Sequence, residues 1–118
     1  MGMPRVNVLL MGSLTVIEAV LQTLVKNLHT PVASWFPGQP LVLPPADRPG
    51  TFVLHEVGTL GLQDQIRLLE WLGLSMGRTQ VVSTSSAPLL PMVEGGSFID
   101  TLYYRLNMVY VDVTEAAH

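Results

Sequence analysis

The stretch Pro49–Gly73, P-G-T-F-V-L-H-E-V-G-T-L-G-L-Q-D-Q-I-R-L-L-E-W-L-G, sets a short apolar run directly before an amphipathic one. Thr51–Val57 is closed by Gly58, and Glu56 is the charged group inside it. A continuous apolar run between turn residues is the pattern of a strand buried on both faces. In the next segment Leu62, Ile66, Leu69 and Leu72 recur at helical spacing, with Gln63, Asp64, Arg67 and Glu70 opposite. Gly73 and Gly77 are expected to break that helix. A buried strand leading at once into an amphipathic helix is half of a right-handed βαβ unit, which requires a parallel sheet. Open sheets of that kind place their chemistry at the C-terminal ends of the strands, where Glu56 falls.

The rest of the chain keeps the alternation. Arg5–Met11 reads as a buried strand ended by Gly12, and Leu14–Leu28 as a helix that Ser13 or Thr15 is placed to cap. Glu18, Gln22 and Lys26 make one polar stripe on it. Ile17, Val20, Leu21, Leu24, Val25 and Leu28 cover most of the remaining circumference, which predicts packing on more than one side. Val32–Trp35 is a second strand. Phe36–Pro49 holds five of the nine prolines and reads as a rigid extended connector, with Leu41–Leu43 as a possible small strand. Arg78–Ser83 is the next strand, and Ala87–Gly96 a loop or short helical turn. Phe98–Leu106 is a helix with Ser97 as its N-cap, and Met108–Val113 is the last strand. The expected fold class is therefore α/β: a three-layer sandwich around a parallel sheet of five strands. Residues 1–113 form one domain and 114–118 a flexible tail.

Composition narrows the function classes. Charged residues are 13% of the chain, against about 25% in an ordinary soluble domain, so the chain is either well buried or covered by a partner. A net charge of −3 supplies no attraction for nucleic acid. The chain has no cysteine, hence no disulfide framework and no thiolate chemistry. Met1–Gly12 lacks the apolar stretch of a secretory signal, and Glu18, Gln22 and Lys26 interrupt the longest apolar segment. A cytoplasmic protein that does not enter the membrane is expected.

From Pro49 to Val113 the residues carry a resemblance. Gly50-Thr51-Phe52-Val53-Leu54-His55-Glu56-Val57-Gly58 is similar to the Walker B strand G-T-L-F-L-D-E-I-G of the AAA+ domain of sigma-54-dependent transcription activators. The helix Leu62–Leu72 matches that family's L-x-L-Q-x-K-L-L-R-V-L. Phe98-Ile99-Asp100-Thr101-Leu102-Tyr103-Tyr104-Arg105-Leu106-Asn107 matches F-R-E-D-L-Y-Y-R-L-N. The resemblance implies a P-loop NTPase-like sheet of order 5-1-4-3-2, here without a lid domain.

The departures bear on activity. A phosphate loop needs G-x-x-x-x-G-K-[ST], so that backbone N–H groups wrap the phosphates and a lysine neutralises them. The chain offers Gly12-Ser13-Leu14-Thr15-Val16-Ile17-Glu18. His55 stands where the family has its magnesium-binding Asp, Glu56 matches the water-activating Glu, and Ser86 falls on the sensor Asn. Ile99 replaces one interface Arg, whereas Arg105 keeps the other. The loop that touches sigma-54 has no counterpart in Phe36–Pro49. The resemblance therefore implies a catalytically inactive domain, not an ATPase, acting as a regulatory or protein-interaction module in bacterial transcription control. No cofactor and no metal are expected, and a protein partner or self-association is. The alternative is an ATP-binding regulator with weak affinity at the Gly12 loop, using Gly12, Ser13, Thr15, Glu56, Ser86 and Arg105.

Bland readings stand beside these. His55 and Glu56 are strand neighbours, so they point to opposite faces and make no acid–base dyad. Gly12 is a ligand loop or a plain turn. Arg105 is a finger toward a neighbouring subunit or part of a structural ion pair. Trp35, Phe36 and Trp71, together with Arg105, are interface anchors or core and rim residues.

Overall fold

The computed structural model describes residues 6–113. The order of elements is β1 (Val8–Met11), α1 (Leu14–Val25), β2 (Val32–Trp35), β3 (Gly50–Leu54), a 3-10 turn at Val57–Thr59, α2 (Leu62–Ser75), β4 (Thr79–Ser85), α3 (Leu90–Glu94), α4 (Asp100–Leu106) and β5 (Val109–Asp112). All pairings are parallel, and the sheet runs β2-β3-β4-β1-β5, the order 5-1-4-3-2 read from the other edge. The expected tail 114–118 and the strand start at Arg5 lie outside the described residues.

Alternation along each strand sorts the apolar residues into two cores. Phe52, Leu54, Val81 and Leu9 face one side, where α2, α4 and the connector bury them with Leu68, Trp71, Phe98, Leu102 and Leu106. Val53, Val82 and Leu10 face the other side, against Val20, Leu21 and Leu24 of α1. These two layers about the sheet make the expected three-layer sandwich.

Several local expectations are corrected. Ile17 is the fully buried residue of α1, while Leu14 and Val25 are about half exposed, so the helix packs on one side. In α2 the buried stripe is Gln65, Leu68, Trp71, Leu72 and Ser75. Leu62 and Ile66, expected inside, are exposed. Gly73 lies on the exposed side and the helix runs through it. It stops at Met76, whose φ of 53° leaves the helical region, followed by Gly77 at φ 80°.

Leu41–Leu43 forms no strand. Prolines cannot donate to a ladder, and this connector is held by side chains instead. Trp35 Nε1 donates to the Gln39 carbonyl (2.8 Å), Trp71 Nε1 to the Pro44 carbonyl (2.7 Å) and Thr79 Oγ1 to the Arg48 carbonyl (3.0 Å). Leu41 plugs the core beneath. Ser97 does not cap α4. Its backbone N–H and that of Phe98 turn back to the Met92 carbonyl, Phe98 is buried, and the helix begins after Ile99.

Candidate functional site

The C-terminal ends of β1, β3 and β4 bring Gly12, Ser13, His55, Glu56 and Ser86 to one edge of the sheet. The β1–α1 turn is two residues long, Gly12 and Ser13. The Gly12 N–H donates to the Ser85 carbonyl at 3.1 Å. Ser13 is the N-cap: its Oγ accepts from the Val16 N–H at 3.4 Å and its carbonyl from the Ile17 N–H at 2.9 Å. Thr15 lies exposed on the first turn of α1 and does not cap it. The Gly12 N–H is thus turned to β4, and the Ser13 hydroxyl and carbonyl to the first turn of α1.

Glu56 sits in the left-handed region, φ 50°. Its N–H donates to Thr84 Oγ1 at 3.0 Å, and its carboxylate Oε1 accepts from the Ser86 N–H at 2.9 Å. Its carbonyl accepts from Thr59 Oγ1 at 2.7 Å. The one charged group of the buried run is therefore a latch joining the ends of β3 and β4. Ser86 takes part through its backbone, beside Ser85, whose Oγ donates to the Ala87 carbonyl.

His55 leaves β3 toward the α1 side. Its N–H donates to the Trp35 carbonyl at 3.0 Å, and its ring stacks on Phe36 with centroids 4.0 Å apart and planes 12° from parallel. A cavity of about 200 Å³ opens beside it, lined by Leu21, Val25, Val32 and Val53. Burial pushes the imidazole below its ordinary pKa, against the opposing pull of Glu18 and Glu56. Burial wins, so the folded protein holds the ring neutral where the unfolded chain binds a proton. Stability is then full above the unfolded value near 6.5 and is lost as pH falls through that value toward the lower folded one. His55→Phe keeps the stack without the titration. Urea unfolding at about pH 7.5 and about pH 5.5 should show wild type losing more stability than the variant on acidification. Equal losses would contradict the burial of the ring.

The remaining candidates lie elsewhere. Arg105 is exposed near the C-terminal end of α4, and its carbonyl accepts from Asn7 Nδ2 at 2.9 Å. Asn7 precedes β1, which puts Arg105 at the N-terminal edge of the sheet, opposite Gly12, Glu56 and Ser86. It cannot join them in one site within a single chain. Trp35 and Trp71 are 5% and 4% exposed with their indole N–H groups bonded to backbone, so they are core residues and not interface anchors. Phe36 remains exposed on one side of its stack with His55.

Sequence reading missed Thr84, Asn7 and Gln65. Asn7 links β4 to α4: its Oδ1 accepts from the Val81 N–H at 2.9 Å while its Nδ2 holds the Arg105 carbonyl. The available signal was a polar residue inside an apolar pattern, as in V-N-V-L-L.

Comparison with known proteins agrees with this fold. The sigma-54 interaction domain family matches residues 18–115. No curated protein matches the sequence. Among solved structures, NtrX from Brucella abortus in complex with ADP superposes with a TM-score of 0.74 at 20% identity, over 92% of this chain and 32% of that one. NtrX in complex with ATP superposes with a TM-score of 0.71 at 16% identity, over 92% and 31%. A further NtrX structure gives 0.71 at 16%, over 93% and 34%. At such identities the likeness is one of fold, and the chain spans about a third of the length of those proteins. None of the helices among the described residues is long and apolar enough to cross a membrane. With the family matched over most of its length, and the sheet order that goes with it, the chain belongs to the sigma-54 interaction domain family.

Proposed function

We propose that this chain is a non-hydrolysing member of its family that serves transcription control as a protein-interaction module. The observation that carries the reading is the two-residue β1–α1 turn. A triphosphate needs several backbone N–H groups pointing into one concavity and a cation beside them. Here the Gly12 N–H is bonded to Ser85 and the Val16 N–H to Ser13, and Ile17 is buried in the apolar core. Charged phosphates placed there would lie unpaired against apolar surface, at several kcal/mol each.

The metal position supports the same reading. His55 offers a ring nitrogen, stacked on Phe36, where a magnesium ion needs an oxygen ligand, and the Glu56 carboxylate is bonded to the Ser86 N–H. The residues present therefore do not fit a nucleotide with its magnesium ion. What remains is a rigid α/β scaffold with the family's helix and strand surfaces, consistent with service through contacts to other proteins.

Titration with ATP and magnesium by calorimetry tests the reading. No saturable heat is expected up to about millimolar ligand, a range in which an intact phosphate site binds with several kcal/mol. Saturable binding that Glu56→Gln or Ser13→Ala alters would overturn it in favour of a nucleotide-responsive regulator.

A further inference from the structure

A cavity of about 330 Å³, larger than the one beside His55, lies at the N-terminal ends of β2 and β3. Gly12, Glu56 and Ser86 sit at the opposite ends of the strands. One wall of the cavity is sheet: Val32 and Ala33 open β2, Gly50 and Thr51 open β3, and Thr79 opens β4. The other wall is the connector, with Val42, Leu43, Pro44, Pro45 and Arg48. Hydrogen bonds fix both walls. The Pro44 carbonyl is held by Trp71 Nε1, the Arg48 carbonyl by Thr79 Oγ1 and the Pro31 carbonyl by the Thr51 N–H. A cavity formed in advance loses little ordering entropy when a ligand enters.

The lining has one kind of chemistry with a single charge. Pro31, Pro44, Pro45 and Pro49 have no N–H to offer. The Thr51 and Thr79 hydroxyls donate to the His29 and Arg48 carbonyls. Arg48 is the charged residue of the lining, and among the described residues it forms no ion pair. On the connector wall Val42 is 75% exposed, which is apolar surface that a ligand would take from water. A rigid apolar cavity with one unpaired cation in its wall is complementary to an apolar body carrying one negative charge.

We propose that this cavity binds a small monocarboxylic acid with an apolar tail, its carboxylate on Arg48 and its tail between the prolines and the starts of β2 and β3. A guanidinium holds a carboxylate through two parallel N–H···O bonds, and one such pair uses the one cation present. Further polar groups on the ligand would be buried against proline and valine without partners. A phosphate dianion would bring a second negative charge near Asp47, which is exposed next to Arg48, with no other cation in the lining to neutralise it. The volume is at the lower end of the roughly 300–1,000 Å³ of ligand cavities, which keeps the ligand small. The proposal goes beyond the reading of the chain as an interaction module. It depends neither on the nucleotide result nor on a protein partner.

Octanoate is the probe, and octan-1-ol its uncharged counterpart. Trp71 reports from the connector wall through its bond to Pro44, so tryptophan fluorescence follows the titration and calorimetry checks it. Octanoate should bind the full chain saturably with a Kd of about 1 mM or below. Arg48→Gln should weaken octanoate at least about tenfold while leaving octan-1-ol within about twofold, because it removes the charge and not the apolar walls. Arg48→Lys should recover part of the loss, as a point charge without the planar fork. Arg48 is exposed, so both variants keep the fold, which far-UV circular dichroism verifies. Ala33→Phe fills the cavity from the sheet wall and should abolish the binding of both probes. Wild type that shows no saturation in that range overturns the proposal. So does octanoate binding that Arg48→Gln leaves unchanged, or that weakens equally with octan-1-ol.

Discussion

Replacing Gln65 by leucine is expected to destabilise the domain by about 3–5 kcal/mol, a large part of the 5–15 kcal/mol of an ordinary domain. Gln65 is fully buried. Its Nε2 donates to the Leu60 carbonyl at 2.9 Å and to the Ser97 carbonyl at 3.0 Å, and its Oε1 accepts from the Ile99 N–H at 2.8 Å. One side chain thus satisfies three backbone groups, from the segment entering α2 and the segment entering α4. Leucine fills the same volume and satisfies none of them. The loss is the desolvation of orphaned groups, about 1–3 kcal/mol each, moderated where the 97–99 segment can turn to water. Urea unfolding measures it. Gln65→Glu separates polarity from shape, because its carboxylate can accept from Ile99 but faces two carbonyl oxygens. That variant should be as unstable as leucine at neutral pH and recover part of the loss near pH 4, where protonation restores one donor. A leucine variant within about 1 kcal/mol of wild type would show that the three bonds contribute little net stability.

The second large effect is expected at Gly50. Its φ is +154°, and a Cβ built there would lie 2.7 Å from the Pro31 carbonyl oxygen. That oxygen accepts the Thr51 N–H at 3.0 Å, and Thr51 Oγ1 holds the His29 carbonyl at 2.8 Å. The obstacle is backbone, so Gly50→Ala must push the start of β2 away from β3 and lengthen these bonds. A loss of about 2–4 kcal/mol follows from overpacking together with a strained φ. Gly73→Ala is the matched control: a Cβ there meets nothing within 4 Å and the residue is helical. It should raise stability by about 0.5–1 kcal/mol. Thermal unfolding of the two variants should therefore move in opposite directions. Equal shifts would sink the account of close approach at Gly50.

The elements were legible because each rests on a local pattern. The β-branched and apolar runs of β1, β3 and β4 are too short and too continuous for helices, and the polar stripe of α1 needs a 3.6-residue period. Gly50–Gly58 and Phe98–Asn107 carried the family, and with it the sheet order, because those motifs are long and ordered. Faces were harder to read. In α2 the stripes Leu62–Ile66–Leu69 and Leu68–Leu72 lie side by side, and both are apolar. Which one is buried depends on where the connector and α4 press, and those segments come from far away in the chain.

The candidate site divides the same way. The sequence alone determined that His55 and Glu56 end a buried run, that Glu56 is its charge, and that no glycine-rich, lysine-bearing loop follows β1. Each is a statement of residue type and order, and local order is what a sequence records. Tertiary structure alone decided what those residues do. It bonded the Glu56 carboxylate to the Ser86 N–H, stacked His55 on Phe36, took both tryptophans into the core and sent Arg105 to the far edge of the sheet. It also left the four residues of β5 exposed. These outcomes follow from which distant segments share a neighbourhood. That is set by chain topology and by the need of every buried polar group for a partner.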